Sequence, residues 1–465
     1  MRDISILNRL ISTRSSLEQH PTLTVQGQVV ALAGLAVEIS GLAEHISVGD
    51  RVTVASRDGS AVEAEIVGFR GGLAQAMPFG ALEGIGPGSR AHAPAAPILP
   101  KRLPSRRGAL AVGAGWLGRV IDPLGQPLDG KGRLPDGPAW RSTRAAVPEA
   151  ILRARLGPRL DLGVRALNCF VSCRQGQRLG LFAGSGVGKS TLLAMMTRQS
   201  AADVIVLALV GERGREVREF LEDELGPEGL ARAVVVVATS DAPPLLRRQA
   251  AYTAMTVAEH FRDGGSSVLL MMDSITRFCL ALREIGLSAG EPPATRGYPP
   301  SVFAELPRLL ERAGPGYQRA DGSAGFITAL FAVLVEGDDQ NEPVADTVRG
   351  ILDGHVILDR RIAEAGRYPA IDVLRSLSRS MPSCNLPEET ALIRRARAIL
   401  ALHADMADMI RLGAYRRGTD PAVDEAMTLA PRIEAMLHQE RDEAPSLEDS
   451  FARLQVALLT QDPHG

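Results

Sequence analysis

Between Leu23 and about Ala95 the chain alternates apolar and polar residues in short runs, Thr24 to Val30, Ala36 to Ile39, Arg51 to Val54 and Ala61 to Val67, with turn residues such as Gly49 and Asp58-Gly59 between them. A period of two places one face of each run in a core, and several such strands in succession predict a small closed β-barrel. Four prolines between Pro94 and Pro104 predict a linker. Gly118 to Gly130 reads as a turn-rich strand pair entering the next domain. The pattern then changes from alternating to uniformly apolar. Leu179 to Phe182, Val204 to Val210, Ala233 to Ala238, Val268 to Met272 and Phe326 to Val335 are runs with no polar face. Helical stretches lie between them, over Thr191 to Met196, from Glu212 and from about Leu245. Strands buried on both faces and alternating with helices predict a mostly parallel sheet covered on both sides, with its chemistry at the strand C-termini.

From about Pro382 the apolar positions recur every three or four residues, through Leu392, Ala396, Ile399, Leu402, Met406, Met409 and Ile410. That spacing predicts a helical domain whose apolar stripe is core, or, if it protrudes, a place where partners dock. Ile4, Leu7, Leu10 and Ile11, with Arg2, Arg9 and Arg14 among them, predict a short amphipathic helix ahead of Pro21. It either packs on its own domain or adheres to a partner protein or an acidic membrane surface. The expected organisation is therefore a segment 1–22, a barrel 23–95, an α/β domain 96–381 and a helical domain 382–465.

Composition narrows the classes. With 465 residues, 45% hydrophobic and 23% charged, the chain has the makeup of a soluble multidomain protein, expected in the cytoplasm. A net charge of −2 and 4% aromatic residues argue against a nucleic-acid partner, because the barrel has neither the basic excess nor the stacking platform. The four cysteines, at 169, 173, 279 and 384, form no paired motif and read as reduced thiols rather than metal ligands. No apolar run is long enough to span a bilayer.

Chemistry concentrates where the first uniformly apolar strand breaks into glycines, at Ala183-Gly184-Ser185-Gly186-Val187-Gly188-Lys189-Ser190-Thr191. Between a strand and a helix this reads as a phosphate-binding P-loop. Backbone N–H groups from Gly184 to Gly188 wrap a polyphosphate, Lys189 holds its outer phosphates and Ser190 holds a Mg²⁺. Ala183 stands where the usual pattern has glycine, a position that needs smallness. Positive charge in this chain is written as arginine, apart from Lys101, Lys131 and Lys189 among 52 basic residues. A point-charge ammonium kept at the P-loop therefore favours a phosphate site over a glycine-rich turn with a chance lysine. Asp273, ending an apolar strand, is placed to hold the Mg²⁺ through water. Glu212, just past another strand, can polarise an attacking water, or alternatively cap the helix that follows it. Charge on a transferred phosphoryl group is commonly neutralised by an arginine from a neighbouring subunit, and the residue pattern alone selects none.

These runs, together with Gly211-Glu212-Arg213-Gly214-Arg215-Glu216, Asp273-Ser274-Ile275-Thr276-Arg277 and Tyr368-Pro369-Ala370-Ile371-Asp372-Val373-Leu374, closely resemble the rotary ATPase catalytic-subunit family. The stretch Arg296-Gly297-Tyr298-Pro299-Pro300-Ser301-Val302-Phe303-Ala304-Glu305, continuing to Gly314, resembles its type III secretion branch, the flagellar export ATPases in particular. The resemblance runs from about residue 23 to the C-terminus. It implies a RecA-like P-loop core between an N-terminal β-barrel and a C-terminal helical domain, assembled as a homohexamer that hydrolyses Mg-ATP at sites between subunits. It further implies Glu212 as the catalytic glutamate, Asp273 as the Walker B aspartate and Arg213 and Arg277 near the γ-phosphate. Tyr368 would pack on adenine and Arg379 would reach into the adjacent site, with Arg375 a second candidate for that role. The implied partners are an export regulator or stator protein, a stalk protein, the export gate and chaperone–cargo complexes, met at the inner face of the cytoplasmic membrane, where acidic lipid can also be touched. Rival readings are an injectisome ATPase, an RNA-translocating hexameric helicase and a non-catalytic ring subunit.

Overall fold

A computed structural model describes residues 24–94, 108–335 and 342–459. The amphipathic segment expected over 1–22, most of the proline-rich linker and the Glu336-Gly337-Asp338-Asp339 run lie outside them. The described chain forms two compact units. The first contains the barrel, together with 243–246 and 281–299. Its strands are β1 (Thr24–Ala33), β2 (Ala36–Ser40), β3 (Arg51–Ala55), β4 (Ala61–Arg70), β5 (Leu73–Pro78) and β6 (Arg90–Pro94), closed in the order β1-β2-β5-β4-β3-β6. The alternating residues meet inside, where Val29, Val37, Ile39, Val52, Val54, Ala64 and Ile66 are all but inaccessible. Closure removes the exposed strand edges that an open sheet of this size would present.

The second unit holds a nine-stranded sheet. In chain order its strands are β7 (Arg119–Ile121), β8 (Arg178–Ala183), β9 (Val204–Glu212), β10 (Ala233–Thr239), β11 (Ser267–Asp273), β12 (Gly314–Pro315), β13 (Phe326–Leu334), β14 (Gly354–Leu358) and β15 (Leu377–Ser378). They lie in the order β15-β14-β8-β13-β11-β9-β10-β7, with β12 pairing antiparallel to β13. All pairings from β14 to β7 are parallel, and β15, like β12, runs against its neighbour. Val204 to Val210 and Val268 to Met272 are buried throughout, which explains their lack of a polar face.

Three expectations need correction. Gly118 to Gly130 is not a strand pair. Arg119–Ile121 alone joins the sheet, parallel to β10, and its return is a single bridge from Ile121 to Pro127. Pro123 and Pro127 have no N–H to continue a ladder. The helix expected from Glu212 begins at Gly214, after Glu212 has closed strand β9. Finally, the alternation missed β5 and β6, since β5 is buried at five consecutive positions and carries no period of two.

The C-terminal helices, Pro387–Arg411, Pro421–Leu437 and Leu447–Ala457, belong to the same compact unit as the sheet. Ile393, Ala396, Ile399, Leu429, Ile433, Phe451 and Leu454 share one apolar cluster with Leu167, Phe170 and the helix after the P-loop. The inner part of the predicted stripe is thus core. Met409, in the last turn of the first of these helices, and Leu412, just past its end, stay exposed. All four cysteines are free, and burial raises the thiols of Cys169, Cys173 and Cys279 far above their ordinary range. Among the described residues no helix is long and apolar enough to cross a membrane.

Candidate active site

Three adjacent strand ends build the site. Strand β8 delivers the P-loop, β9 delivers Glu212 and β11 delivers Asp273. Ala183, the last residue of β8, is fully enclosed, so its small side chain fits where a larger one would have to displace the strand's neighbours. Gly186 and Gly188 adopt left-handed φ angles of 76° and 84°. At Gly188 an added Cβ would also stand 3.2 Å from the ring of Tyr368. The loop therefore needs glycine there twice over, for its backbone and for the ring above it. The helix Lys189–Gln199 starts immediately afterwards and directs its N-terminus at the loop.

Lys189 Nζ is held by Asp273 Oδ1 and lies 3.7 Å from Glu212 Oε1. The three side chains are 12%, 5% and 12% exposed, so this is a nearly dry cluster of charge. Arg277 completes it. Its guanidinium donates to the Gly211 carbonyl and stands 3.4 Å from Glu212 Oε2. Gly211 has a φ of 73° where β9 bulges against β10, and a Cβ there would strike the Arg277 side chain at 2.8 Å. This bulge turns the end of β9 so that Glu212 joins the P-loop lysine instead of capping the next helix. Burial, followed by the nearby Asp273 charge, raises the Glu212 pKa, with Lys189 and Arg277 opposing the rise. Glu212 Oε1 is buried without a hydrogen-bond donor.

The remaining predicted residues divide. Ser185 is exposed on the loop and Ser190 in the first turn of the helix after it, Gly184 and Val187 are buried, and Thr191 donates to Glu224 Oε1 at 3.3 Å. Tyr368 is 42% exposed, with its ring over Gly188. Arg213 is not brought into the cluster. It precedes the helix Gly214–Glu219, is 75% exposed and pairs with Glu216 at 3.2 Å, so the acid in that first turn draws it outward. Arg375 is engaged by Asp359 at 3.3 Å and Asp372 at 3.9 Å. Arg379 is exposed, and among the described residues it forms no ion pair. It follows β15, whose Ser378 pairs with Gly354 at the start of β14, and so stands at the sheet edge opposite the P-loop. Sequence reasoning missed Arg360, which donates to the Ser185 carbonyl at 3.3 Å, and Glu224, the partner of Thr191. Both contacts join distant parts of the chain, and no local spacing announces them.

The arrangement can bind a polyphosphate and place a carboxylate beside it. Ser190 and Asp273 are hard oxygen donors at one strand edge, which suits Mg²⁺, and Glu212 Oε1, which accepts no hydrogen bond, can take a water proton.

Comparison with known proteins agrees. Residues 163–378 match the ATP synthase alpha/beta family nucleotide-binding domain, and residues 386–456 match the type III secretion EscN ATPase C-terminal domain. The chain is 52% identical to a flagellum-specific ATP synthase of Caulobacter vibrioides, over 96% of this chain and 99% of that one. It is 44% identical to a type 3 secretion system ATPase of Xanthomonas euvesicatoria, over 92% and 93%. The solved structure of the assembled ATPase EscN from enteropathogenic E. coli superposes with a TM-score of 0.81 at 38% identity, covering 93% of this chain and all of that one. A further structure holds EscN in complex with its central stalk EscO. The nucleotide-binding core, the C-terminal helices and full-length identity to these ATPases together place this chain in the ATP synthase alpha/beta family, in its type III export branch.

Proposed function

We propose that this chain is the ATP hydrolase of a flagellar type III export apparatus, a protein-secreting ATPase working as a homohexameric ring, divided near residues 22, 95 and 381. The observation that carries the reading is the cluster of Lys189, Asp273, Glu212 and Arg277 at one strand edge beneath Tyr368. A non-catalytic ring subunit has use for the P-loop but none for a buried, under-bonded Glu212. The flagellar assignment over the injectisome one is supported by identity to the flagellum-specific relative, 52% against 44%.

In the proposed mechanism a polyphosphate competes with Asp273 and Glu212 for Lys189. Once the lysine turns to phosphate, Glu212 is left with a buried oxygen facing the site, and its raised pKa makes it a better base than an exposed glutamate. Arg277 keeps that carboxylate oriented through its second oxygen. Ser190 and Asp273 would hold Mg²⁺, which when bound offsets charge on the phosphates. Tyr368 presents its face to the adenine ring. Arg213 reaches the γ-phosphate only if it leaves Glu216, so its part is secondary to that of Arg277.

Arg379 is proposed to act on the neighbouring subunit. Strand β8 carries the P-loop at its end, whereas Arg379 is anchored beside its beginning, six residues back. At ~3.3 Å per residue that is roughly 20 Å, far beyond the reach of an arginine side chain. Its own site is out of range, and Arg375 is already occupied by two carboxylates. Partners of this ring are proposed to be a stalk, as EscO is for EscN, a regulator or stator protein, the export gate and chaperone–cargo complexes. The working place is the cytoplasmic side of the membrane, where acidic lipid is a further contact.

ATPase rate per subunit, measured across protein concentration with and without RNA and acidic phospholipid, tests the reading. The expected rate rises with concentration and ignores RNA. A concentration-independent rate overturns the shared site, and stimulation by RNA favours the helicase.

A further inference from the structure

Gln177, immediately before β8, is completely buried, and all four hydrogen-bonding positions of its side-chain amide are used. Nε2 donates to the Asp353 carbonyl at 3.1 Å and to Ser378 Oγ at 2.9 Å. Oε1 accepts from the Arg174 N–H at 3.0 Å and from Ser380 Oγ at 3.0 Å. The two serines are the residues on either side of Arg379. Ser378 also donates to the Ser172 carbonyl at 2.8 Å, and the Arg379 N–H donates to the same Asp353 carbonyl at 2.9 Å. Leu377 and Arg379 are exposed while Ser378 and Ser380 are buried, the alternation of an extended strand. Clamping the serines inward therefore fixes Arg379 outward.

We infer that Gln177 is a positioning residue for Arg379, and that through strand β8 it registers the arginine a subunit lends to its neighbour against that subunit's own nucleotide loop. The inference rests on the reading of Arg379 as acting in trans. Several contacts reinforce the connection. Arg178, the first residue of β8, bonds Asp353 through its backbone N–H at 3.0 Å and through Nε at 3.2 Å, and the Asp353 N–H returns to the Arg178 carbonyl at 2.8 Å. The Gln177 carbonyl accepts from the Ala329 N–H at 3.0 Å, tying the clamp into the parallel ladder. The arginine's platform and the P-loop are thus two ends of one hydrogen-bonded strand, both inside the same compact unit.

A merely structural role for Gln177 would impair whatever chain carries the substitution, whichever partner it meets. A positioning role is asymmetric. Gln177→Met, which keeps length and removes the amide, should leave ATP affinity within about twofold while kcat falls by one to two orders of magnitude, the scale of a displaced catalytic group. In mixed rings, Gln177→Met with Lys189→Ala should recover activity, since the second chain supplies a well-placed Arg379 to the first chain's intact site. Gln177→Met with Arg379→Ala should recover none, since neither supplies it. Ser378→Ala/Ser380→Ala removes the same clamp from its other side, should behave identically, and carries the test if Gln177→Met does not fold. Recovery with Arg379→Ala, or failure with Lys189→Ala, overturns the positioning role. A control mixture of Arg379→Ala with Lys189→Ala isolates the underlying reading, and if that control shows no recovery, the trans arginine and the inference fall together.

Discussion

Glu212 pairs an electrostatic cost with the chemical use proposed for it. Its pKa is raised by burial, so the folded state favours the protonated form more than the unfolded chain does. The stability attached to such a shift is present below the ordinary glutamate pKa and is lost as pH rises through the raised value, leaving ionised Glu212 a burden at neutral pH. Glu212→Gln should therefore bind ATP, lose at least 100-fold in turnover and melt no lower than the parent at pH 7, with calorimetry and a steady-state assay reading the two effects. The acid limb of the pH–rate profile should lie above the range of an exposed carboxylate, since the base fails on protonation. A limb at the ordinary carboxylate value would remove Glu212 from the role of base. At this scale the sequence announced the P-loop, Asp273 and Glu212 by their places at the ends of apolar runs. It could not announce Gln177 or Glu224, whose partners lie up to about two hundred residues away and follow from topology alone.

Among the elements, β7 shows why a local pattern misleads. Its three residues pair with β10, and its stability depends on Asp129 nine residues beyond its core. Asp129 receives Arg119 Nε at 2.7 Å and Nη2 at 2.9 Å, together with the Val120 N–H at 3.1 Å. The Arg119 hydrogen bond is the chief reason that this carboxyl is pushed well below its usual range. A depressed carboxylate adds stability above the ordinary Asp pKa of about 4, and that stability is lost as pH falls below it. Asp129→Asn should cost about 2 kcal/mol near pH 7, the penalty for stripping hydrogen bonds from a charged group, and the gap to the parent should be narrower but still open at pH 3, because the folded carboxyl protonates only well below that pH. Denaturant melts at the two pH values measure this. Proline and glycine between Asp122 and Gly130 signalled turns correctly, but the strand's destination in a sheet built mostly from later residues was not local information.

For the molecule as a whole, the barrel, parallel sheet and helical C-terminus were legible because each follows a different hydrophobic period. The helical stripe was read as core, and its partner in that core became visible only in three dimensions. Because Ile393, Ile399, Leu429, Ile433 and Phe451 pack in one cluster with Phe170 and Leu193, cutting the chain after Ser383 would uncover the apolar side of the nucleotide-binding unit. Such a truncation is expected to aggregate rather than yield a free ATPase core, and a soluble, ATP-binding fragment by gel filtration would contradict it.

On the proposed trans role of Arg379, its place at the opposite end of the strands from the P-loop also gives the assembly a polarity. Donor edge and acceptor edge are different surfaces, so a two-fold symmetric pair, in which both chains use the same surface, completes no site at all. Two chains joined head-to-tail complete one site and leave one donor and one acceptor idle. Such a pair should work at about half the per-chain rate of a closed ring, and any open chain of them would carry a growing end.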